Sequence, residues 1–301
     1  MQAATPSRTA LGVALRRAAH RLYDNPLVLD DPIALPILGR TRWAIHTHIA
    51  RPEQPYAIAM RAFLVARSRY AEDLLAQAVA QGTRQYLILG AGLDTFAYRN
   101  PWPHLRVFEV DHPGTQLWKQ QLLAEAQLRP ASGPGSASAT GSEANSATGI
   151  PIPPNLTFLP VDFETQSLAA QLAAHGFHHE QPTFVAWLGV VPYLTRPAFQ
   201  ATLGYLAQLA PGSGLVFDYG LPRASLAAQD QQAHDILAAR VQAAGEPFQL
   251  YLTPSDVAAA LSAFSHLEDL GTPELNARYF AHRTDHLAMQ GSSIRFVSAW
   301  R

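Results

Sequence analysis

Residues 86–94, Tyr-Leu-Ile-Leu-Gly-Ala-Gly-Leu-Asp, constrain the fold of this chain more than any other stretch. A short apolar run ends in Gly90-Ala-Gly92, and a second run, Val107-Phe-Glu-Val-Asp111, ends in an acid 19 residues beyond Gly92. The first run predicts a buried strand that stops at a tight turn. Glycine in that turn lets the backbone approach a ligand that a Cβ would keep away. The second run predicts the neighbouring strand, with a carboxylate at its carboxyl end that can accept two hydrogen bonds from a ribose diol. A glycine bend and an acid on adjoining strands describe a nucleoside-binding crevice in an open α/β sheet. Glu109 lies on the same face of the strand as Asp111 and is the alternative ribose ligand. Asp111 is preferred, because His112-Pro113-Gly114 ends the strand and proline cannot continue the ladder.

Strand and helix patterns alternate from Tyr86 onward. Strand candidates are 85–89, 106–110, 156–160, 183–188, 214–218 and 293–300. Helical patterns fall near 115–128, 166–175, 196–209 and 255–262. This alternation predicts a mostly parallel sheet wound on both faces, with the last strand able to insert antiparallel. Residues 9–23 and 56–81 carry helical periodicity with no strand alternation, and Gly82 reads as the C-cap of the second helix. The reading is one domain over 1–301. It has a helical N-terminal cap (1–82) and a core (83–301) interrupted by a loop (131–154) and an insertion (221–250). The loop is rich in Ala, Ser, Gly, Thr and Pro and holds a single charge, Glu143, so it reads as a disordered surface loop. The insertion follows the carboxyl end of a strand and would sit over the crevice as a lid.

Composition narrows the chemistry. The formal net charge of −1 provides no basic field for nucleic acid or an anionic membrane. The absence of cysteine excludes disulfides, thiolate metal sites and a cysteine nucleophile. No apolar run approaches the roughly 20 residues that span a bilayer. The N-terminus lacks the basic-then-apolar order of a secretory signal, so the expectation is a soluble, cytoplasmic protein. The histidine pairs His46/His48, His178/His179 and His282/His286 lack a third ligand at diagnostic spacing, and no metal is expected. Neither a Gly-x-Ser-x-Gly elbow nor a Walker loop is present.

Several motifs carry two readings. Thr95 stands where a dinucleotide fingerprint places its third glycine, which counts against NAD or FAD. Asp94 either caps the next helix or touches a cofactor. Asp162 after the third strand either receives the exocyclic amine of adenine, with Phe163 against the ring, or caps the helix that follows. Gly189 in Trp187-Leu-Gly-Val-Val-Pro-Tyr-Leu-Thr195 can admit a ligand closely. Thr195 with Pro197 reads as a helix start. Tyr193 either donates a hydrogen bond into the crevice, towards substrate, or fills the core.

In order along the chain stand Ala66-Arg-Ser-Arg-Tyr-Ala-Glu-Asp-Leu-Leu75, Leu89-Gly-Ala-Gly-Leu-Asp-Thr95 with Tyr98-Arg99, Phe108-Glu-Val-Asp-His-Pro113, Val161-Asp162 and Trp187-Leu-Gly-Val-Val-Pro-Tyr-Leu194. Together they resemble the S-adenosylmethionine-dependent methyltransferases of the leucine carboxyl methyltransferase type, in particular their bacterial branch. Ser7-Arg-Thr-Ala10 and Asp30-Asp-Pro32 look like that branch's N-terminal signature. The resemblance implies the class I methyltransferase fold: a doubly wound, mostly parallel, Rossmann-like sheet of seven strands. It implies S-adenosyl-L-methionine as cofactor, with Arg67 on the methionyl carboxylate and Gly90, Ala91 and Gly92 lining the bend. Asp111 would bind the ribose with His112 beside it, and Asp162 and Phe163 would flank adenine. Leu188 and Gly189 fall in the fourth-strand motif, where relatives carry a glutamate in place of Leu188. Arg8 loosely matches a basic contact to the cofactor carboxylate.

Methyl transfer of this kind is an in-line displacement, so alignment and water exclusion dominate. A carboxylate acceptor needs no base, whereas a hydroxyl would benefit from one, with His112, His46 and Tyr193 as candidates. The expected partner is a small-molecule carboxylate or hydroxyl, with a protein C-terminal carboxylate less favoured. Two other readings stand: an NAD(P)-dependent oxidoreductase on a similar sheet, and a cofactor-binding protein without catalysis.

Overall fold

The computed structural model describes residues 7–41, 53–126, 149–162 and 166–301. His46, His48, Phe163 and residues 131–148 of the predicted loop lie outside them. The chain begins with helices α1 (Arg8–Tyr23) and α2 (Pro55–Ala80). The strands are β1 (Gln85–Leu89), β2 (Arg106–Asp111), β3 (Leu156–Pro160), β4 (Thr183–Trp187), β5 (Gly214–Gly220), β6 (Ser265–Leu270) and β7 (Ile294–Trp300). Between them run α3 (Pro113–Glu125), α4 (Leu168–Ala174), α5 (Arg196–Leu206), α6 (Ala228–Ala243), α7 (Pro254–Ala260) and α8 (Thr272–Tyr279).

The seven strands form one sheet in the order β3-β2-β1-β4-β5-β7-β6. Strands β1 to β5 are parallel, and β7 runs antiparallel between β5 and β6. The chain builds outward from β1 through β2 to β3, then returns to the other side of β1 with β4. That reversal opens a crevice at the carboxyl ends of β1 and β4, where open α/β sheets bind ligands. Pro160 is tolerated because β3 is an edge strand.

Both faces of the sheet are covered, which explains why β1 and β4 read as unbroken apolar runs. On one face α2 packs Ala62, Val65, Tyr70 and Leu74 onto a layer that includes Tyr86, Ile88, Phe184 and Val216. On the other, Leu172, Phe199, Leu203 and Val257 from α4, α5 and α7 cover Leu87, Phe108, Val185 and Phe217. Helix α1 belongs to a third cluster with Ile33, Ile37, Leu93 and Leu123, which seats it beside the glycine bend. Gly82 (φ +105°) follows the end of α2 in the left-handed region, as its reading as a C-cap requires.

The structure departs from the sequence reading in several places, among them helix α8, which was not expected. Strand β6 was not expected. Its sequence, Ser-His-Leu-Glu-Asp-Leu, is largely exposed, its register to β7 shifts between Ser265 and Glu268, and His266 sits at φ +51°. A charged, irregular edge strand loses the alternation that would reveal it, while resisting edge-to-edge pairing. The end of the predicted surface loop also has something to bury. Ile150 is buried against α1 and α3, and its N–H donates to Leu123 O at 2.8 Å.

Gly214 opens β5 under two rings. A Cβ there would stand 2.5 Å from Trp300 Cζ3 and 2.8 Å from Phe184 Cδ2. Both rings are packed, so Gly214→Ala is expected to destabilise the fold by about 1–3 kcal/mol through overpacking. Urea unfolding followed by tryptophan fluorescence would show a lower midpoint, and an unchanged midpoint would contradict this packing.

Candidate active site

The bend after β1 is stitched to the end of β2. Gly90 N and Ala91 N both donate to Val110 O, at 2.8 and 3.1 Å. Gly92 N donates to Asp111 Oδ2 at 2.5 Å, and His112 N donates to Asp111 Oδ1 at 2.7 Å. Gly90 and Gly92 have φ of +70° and +49°, which turns these N–H groups toward the neighbouring strand. The expected pairing of bend and acid is therefore a direct hydrogen bond. Burial pushes the Asp111 carboxyl up from its ordinary value, and the Gly92 and His112 N–H groups partly offset this.

A second bracket of the same form joins β4 and β5. Gly189, at φ +69°, donates its N–H to Asp218 Oδ1 at 2.6 Å. Asp218 is buried two residues before the end of β5, and its Oδ2 faces Arg67 Nη1 at 3.4 Å. Arg67 reaches this point from the middle of α2. Its Nε is buried without a hydrogen-bond partner among the described residues. A Cβ on Gly189 would lie 2.5 Å from Arg67 Nη1, and one on Gly90 would lie 2.3 Å from Val190 Cγ2. The two bends thus meet where the strand order reverses, with Arg67 between α2 and the second bend. The sequence reading passed over Asp218. Its signal was an acid at the end of an apolar run, the same signal that singled out Asp111.

Other expected site residues divide. Glu109 is withdrawn as a ribose ligand, since it is fully buried with Lys119 Nζ at 2.6 Å from Oε2. Burial raises its carboxyl above the ordinary value against that lysine. Asp162 lies near the end of β2, as Val161 N donates to Asp111 O at 2.8 Å. It does not cap α4, whose N-cap is Ser167. His112 caps α3, its Nδ1 accepting from Gly114 N at 3.2 Å. Asp94 makes the local turn, its Oδ1 accepting from Phe96 N at 2.7 Å. Leu188 packs against the α2 side of the core, so at the bend it offers backbone. Thr195 caps α5 as expected.

Tyr193 is half-buried on Phe248, with ring centroids 5.1 Å apart, and burial pushes its phenol up to about 12 against the field of Arg67. Its hydroxyl is hydrogen-bonded with Thr9. The end of the insertion crosses here. Gln249 Nε2 donates to Tyr193 O at 2.7 Å, and Gln249 N donates to Pro192 O at 2.7 Å. Glu246 accepts from Arg8 N at 3.2 Å and from the Thr9 hydroxyl, tying the insertion to the start of α1. Arg8 meets the site through its backbone. The start of α1 also roofs the first bend, since a Cβ on Gly92 would stand 3.2 Å from Ala10 Cβ. Among the described residues no group of three His, Asp or Glu side chains is arranged to hold a metal. No described helix is long and apolar enough to cross a membrane.

A buried charge network holds α1 in place. Asp31, in the Asp30-Asp-Pro32 segment, accepts from Arg17 and from Thr95 Oγ1 at 2.7 Å. Arg99 lies 3.6 Å from Asp31 and pairs with both oxygens of Glu72. Burial opposes ionisation of Asp31, but Arg17 and Arg99 outweigh it and hold the carboxyl below its ordinary value. The unfolded chain, with a carboxyl near about 3.9, therefore binds the proton more readily. The stabilisation is complete above that value and is lost as pH falls through the lower folded value. Asp31→Asn leaves buried Arg17 with only the more exposed Asp94, 3.5 Å away, as counter-charge and is expected to cost about 3 kcal/mol at neutral pH. Its stability should also fall less steeply than wild type on acidification. Urea titrations at several pH values check both, and equal pH slopes would remove Asp31 from the acid response.

Comparison with known proteins agrees with this architecture. The sequence model for the leucine carboxyl methyltransferase family matches residues 10–207. A Bacillus subtilis protein named "Putative S-adenosyl-L-methionine-dependent methyltransferase YktD" is 30% identical over 94% of each chain. A Mycobacteroides abscessus protein of the same description is 32% identical over 70% of this chain and 64% of its own. A crystal structure of a Thermobifida fusca protein described as a putative methyltransferase superposes with a TM-score of 0.55 at 17% identity, covering 96% of this chain and 94% of that one. The fold is the class I methyltransferase sheet that the sequence resemblance implied. The chain belongs to the leucine carboxyl methyltransferase family.

Proposed function

We propose that this protein is an S-adenosyl-L-methionine-dependent methyltransferase acting on an oxygen of a small-molecule acceptor, a carboxylate or a hydroxyl. One observation carries the reading: an acid brackets each of two glycine bends at the switch point, with the Arg67 guanidinium against the second of them. The residues fit the donor. Arg67 has a buried Nε with no partner among the described residues and can receive the methionyl carboxylate. Asp218, one strand over, offers a carboxylate for the methionyl ammonium, the role left open by leucine at 188. Asp111 spends one lone pair of each oxygen on backbone N–H groups and keeps the others for the ribose diol. The missing Cβ atoms of Gly90 and Gly189 let Val190 and Arg67 close in on the bends, and Asp162 serves the adenine end.

When bound, S-adenosylmethionine supplies a methyl group already activated by the adjoining sulfonium. The protein's own work is placement and water exclusion. Arg67 and Asp218 fix one end of the donor and Asp111 the other. The start of α1 and the segment 246–250 close over the bend and Tyr193. The oxidoreductase reading loses ground on geometry. After the bend the chain makes only a 3-10 turn, Phe96–Arg99, so the strand–turn–helix of a dinucleotide fingerprint is missing there.

Calorimetric titration tests the reading. Wild type should bind S-adenosylmethionine in preference to NADH. Arg67→Ala and Asp111→Ala should each weaken binding by about 1.5–3 kcal/mol, roughly 10- to 150-fold. Wild-type affinity in both variants would reject the site.

A further inference from the structure

Lys119 is the only lysine among the 22 lysines and arginines of this chain, and it does not face water. Its side chain is 1% exposed, and its ammonium lies 2.6 Å from Oε2 of the wholly buried Glu109. Lys119 stands in the second turn of α3. The same helix supplies Gln116, whose Nε2 donates to Glu109 O at 2.7 Å, and it is capped by His112, whose N–H donates to Asp111 Oδ1 at 2.7 Å. Glu109 and Asp111 lie on one face of β2, about 7 Å apart along the strand. The lysine therefore serves two carboxylates, and its charge favours the ionised form of Asp111.

The pair is poorly built for stability alone. Glu109 Oε1 is buried without a hydrogen-bond partner among the described residues, and so is the hydroxyl of Tyr98, whose ring centroid lies 5.7 Å from the ammonium. Asp24 shows what a structural buried pair looks like in this fold. Arg61 grips both of its oxygens, at 3.0 and 2.9 Å, and His20 Nδ1 lies 2.9 Å from one of them. An under-bonded ion pair contributes little that apolar side chains of similar volume would not. Its place beside Asp111 gives the charge a use. Each acid that brackets a bend then has a buried cation of its own, Arg67 for Asp218 and Lys119 for Asp111.

Resting on the methyltransferase reading, we propose that Lys119 is a positioning residue for the donor's ribose: its ammonium, shared between Glu109 and Asp111, keeps Asp111 ionised and able to accept from both ribose hydroxyls. Burial favours the neutral form of Asp111, and a protonated carboxyl would turn one acceptor oxygen into a donor. Glu109 is the partner that gives way. Burial pushes its carboxyl up to about 7 despite the lysine, so it takes a proton near neutrality and leaves the ammonium to Asp111. The other ionisable groups facing this cluster are Asp94 after the first bend, 3.5 Å from Arg17, Tyr98 on the turn beyond it, Tyr86 of β1, His112 at the head of α3 and Asp162 after β3. Donor affinity is then level through neutrality. It falls only where Asp111 itself takes a proton, about tenfold per pH unit.

A single lysine makes the test direct. The full chain, isotope-labelled at lysine Cε, gives one lysine resonance. In wild type that signal should move as pH passes about 7, where Glu109 titrates, and Glu109→Gln should abolish the movement. Calorimetric titration with S-adenosylhomocysteine at successively lower pH then reads the acid limb of affinity. Lys119→Met should move that limb to higher pH by about one unit, which is a tenfold loss of affinity at a fixed pH on the limb. Glu109→Gln should leave the limb where wild type has it, because Glu109 is already neutral there. The double variant Lys119→Met with Glu109→Gln should match Lys119→Met, and it decides the matter if the single lysine variant fails to fold. A wild-type limb without Lys119 overturns the proposal. So does a lysine signal that is flat through neutrality, or an equal upward shift of the limb in Glu109→Gln, the mark of a merely structural pair. A wild type that binds no donor at all removes the methyltransferase reading itself. A wild type that binds it with a limb indifferent to Lys119 removes this inference alone.

Discussion

A backbone N–H of a left-handed glycine, donated to an acid near the end of the next strand, is the interaction on which the rest of this site depends. It occurs twice, from Gly92 to Asp111 and from Gly189 to Asp218. A parallel sheet fixes the height at which its strands end but leaves the loops beyond them to find their own positions. These bonds remove that freedom. They set both bends against their neighbours, and the meeting of Gly90 with Val190 sets them against each other. What remains between them is a crevice with an anion on either side and one guanidinium at its edge.

The helices around the crevice are placed by charge as much as by apolar contact. Arg17, Asp31, Thr95, Arg99 and Glu72 form a network between α1, α2 and the segment after the first bend. Lys119 and Glu109 form a second buried pair, whose lysine also acts on Asp111. Such groups give up hydration, and their attraction returns that cost only when the geometry is correct. An apolar layer would tolerate sliding of α1, whereas this network holds the helix in one position. That position puts Ala10 over Gly92 and Thr9 beside Tyr193 and Glu246, which is how the start of the chain comes to roof the site.

The first bend and its acid were legible because each sits at the end of an apolar run, and the period of such runs is a local property. Capping was legible for the same reason at Thr195 and Gly82. Where two acids shared a strand face, the strand-ending Pro113 favoured Asp111 and left Glu109 as the alternative. Only Lys119, reaching in from α3, shows that Glu109 is committed to an internal pair. Asp162 looked like a cap because a helix follows it, yet Ser167 performs that task. Strand β6 escaped because its charges and its bulge suit an edge, and an edge is defined by what is missing beside it. Asp218 carried the same local signal but was passed over, since its partner Gly189 lies 29 residues earlier.

The sequence by itself determined the alternation of strands and helices, the first glycine bend, the acid two strands' ends bring to it, and the family to which these belong. Each follows from short-range periodicity or from backbone freedom at single positions. Tertiary structure alone decided that Arg67 lies against Asp218 and that Glu246 meets the start of α1. Those contacts join residues far apart in the chain. Packing against the sheet selects them, and no local pattern along the chain encodes which distant side chain the packing will deliver.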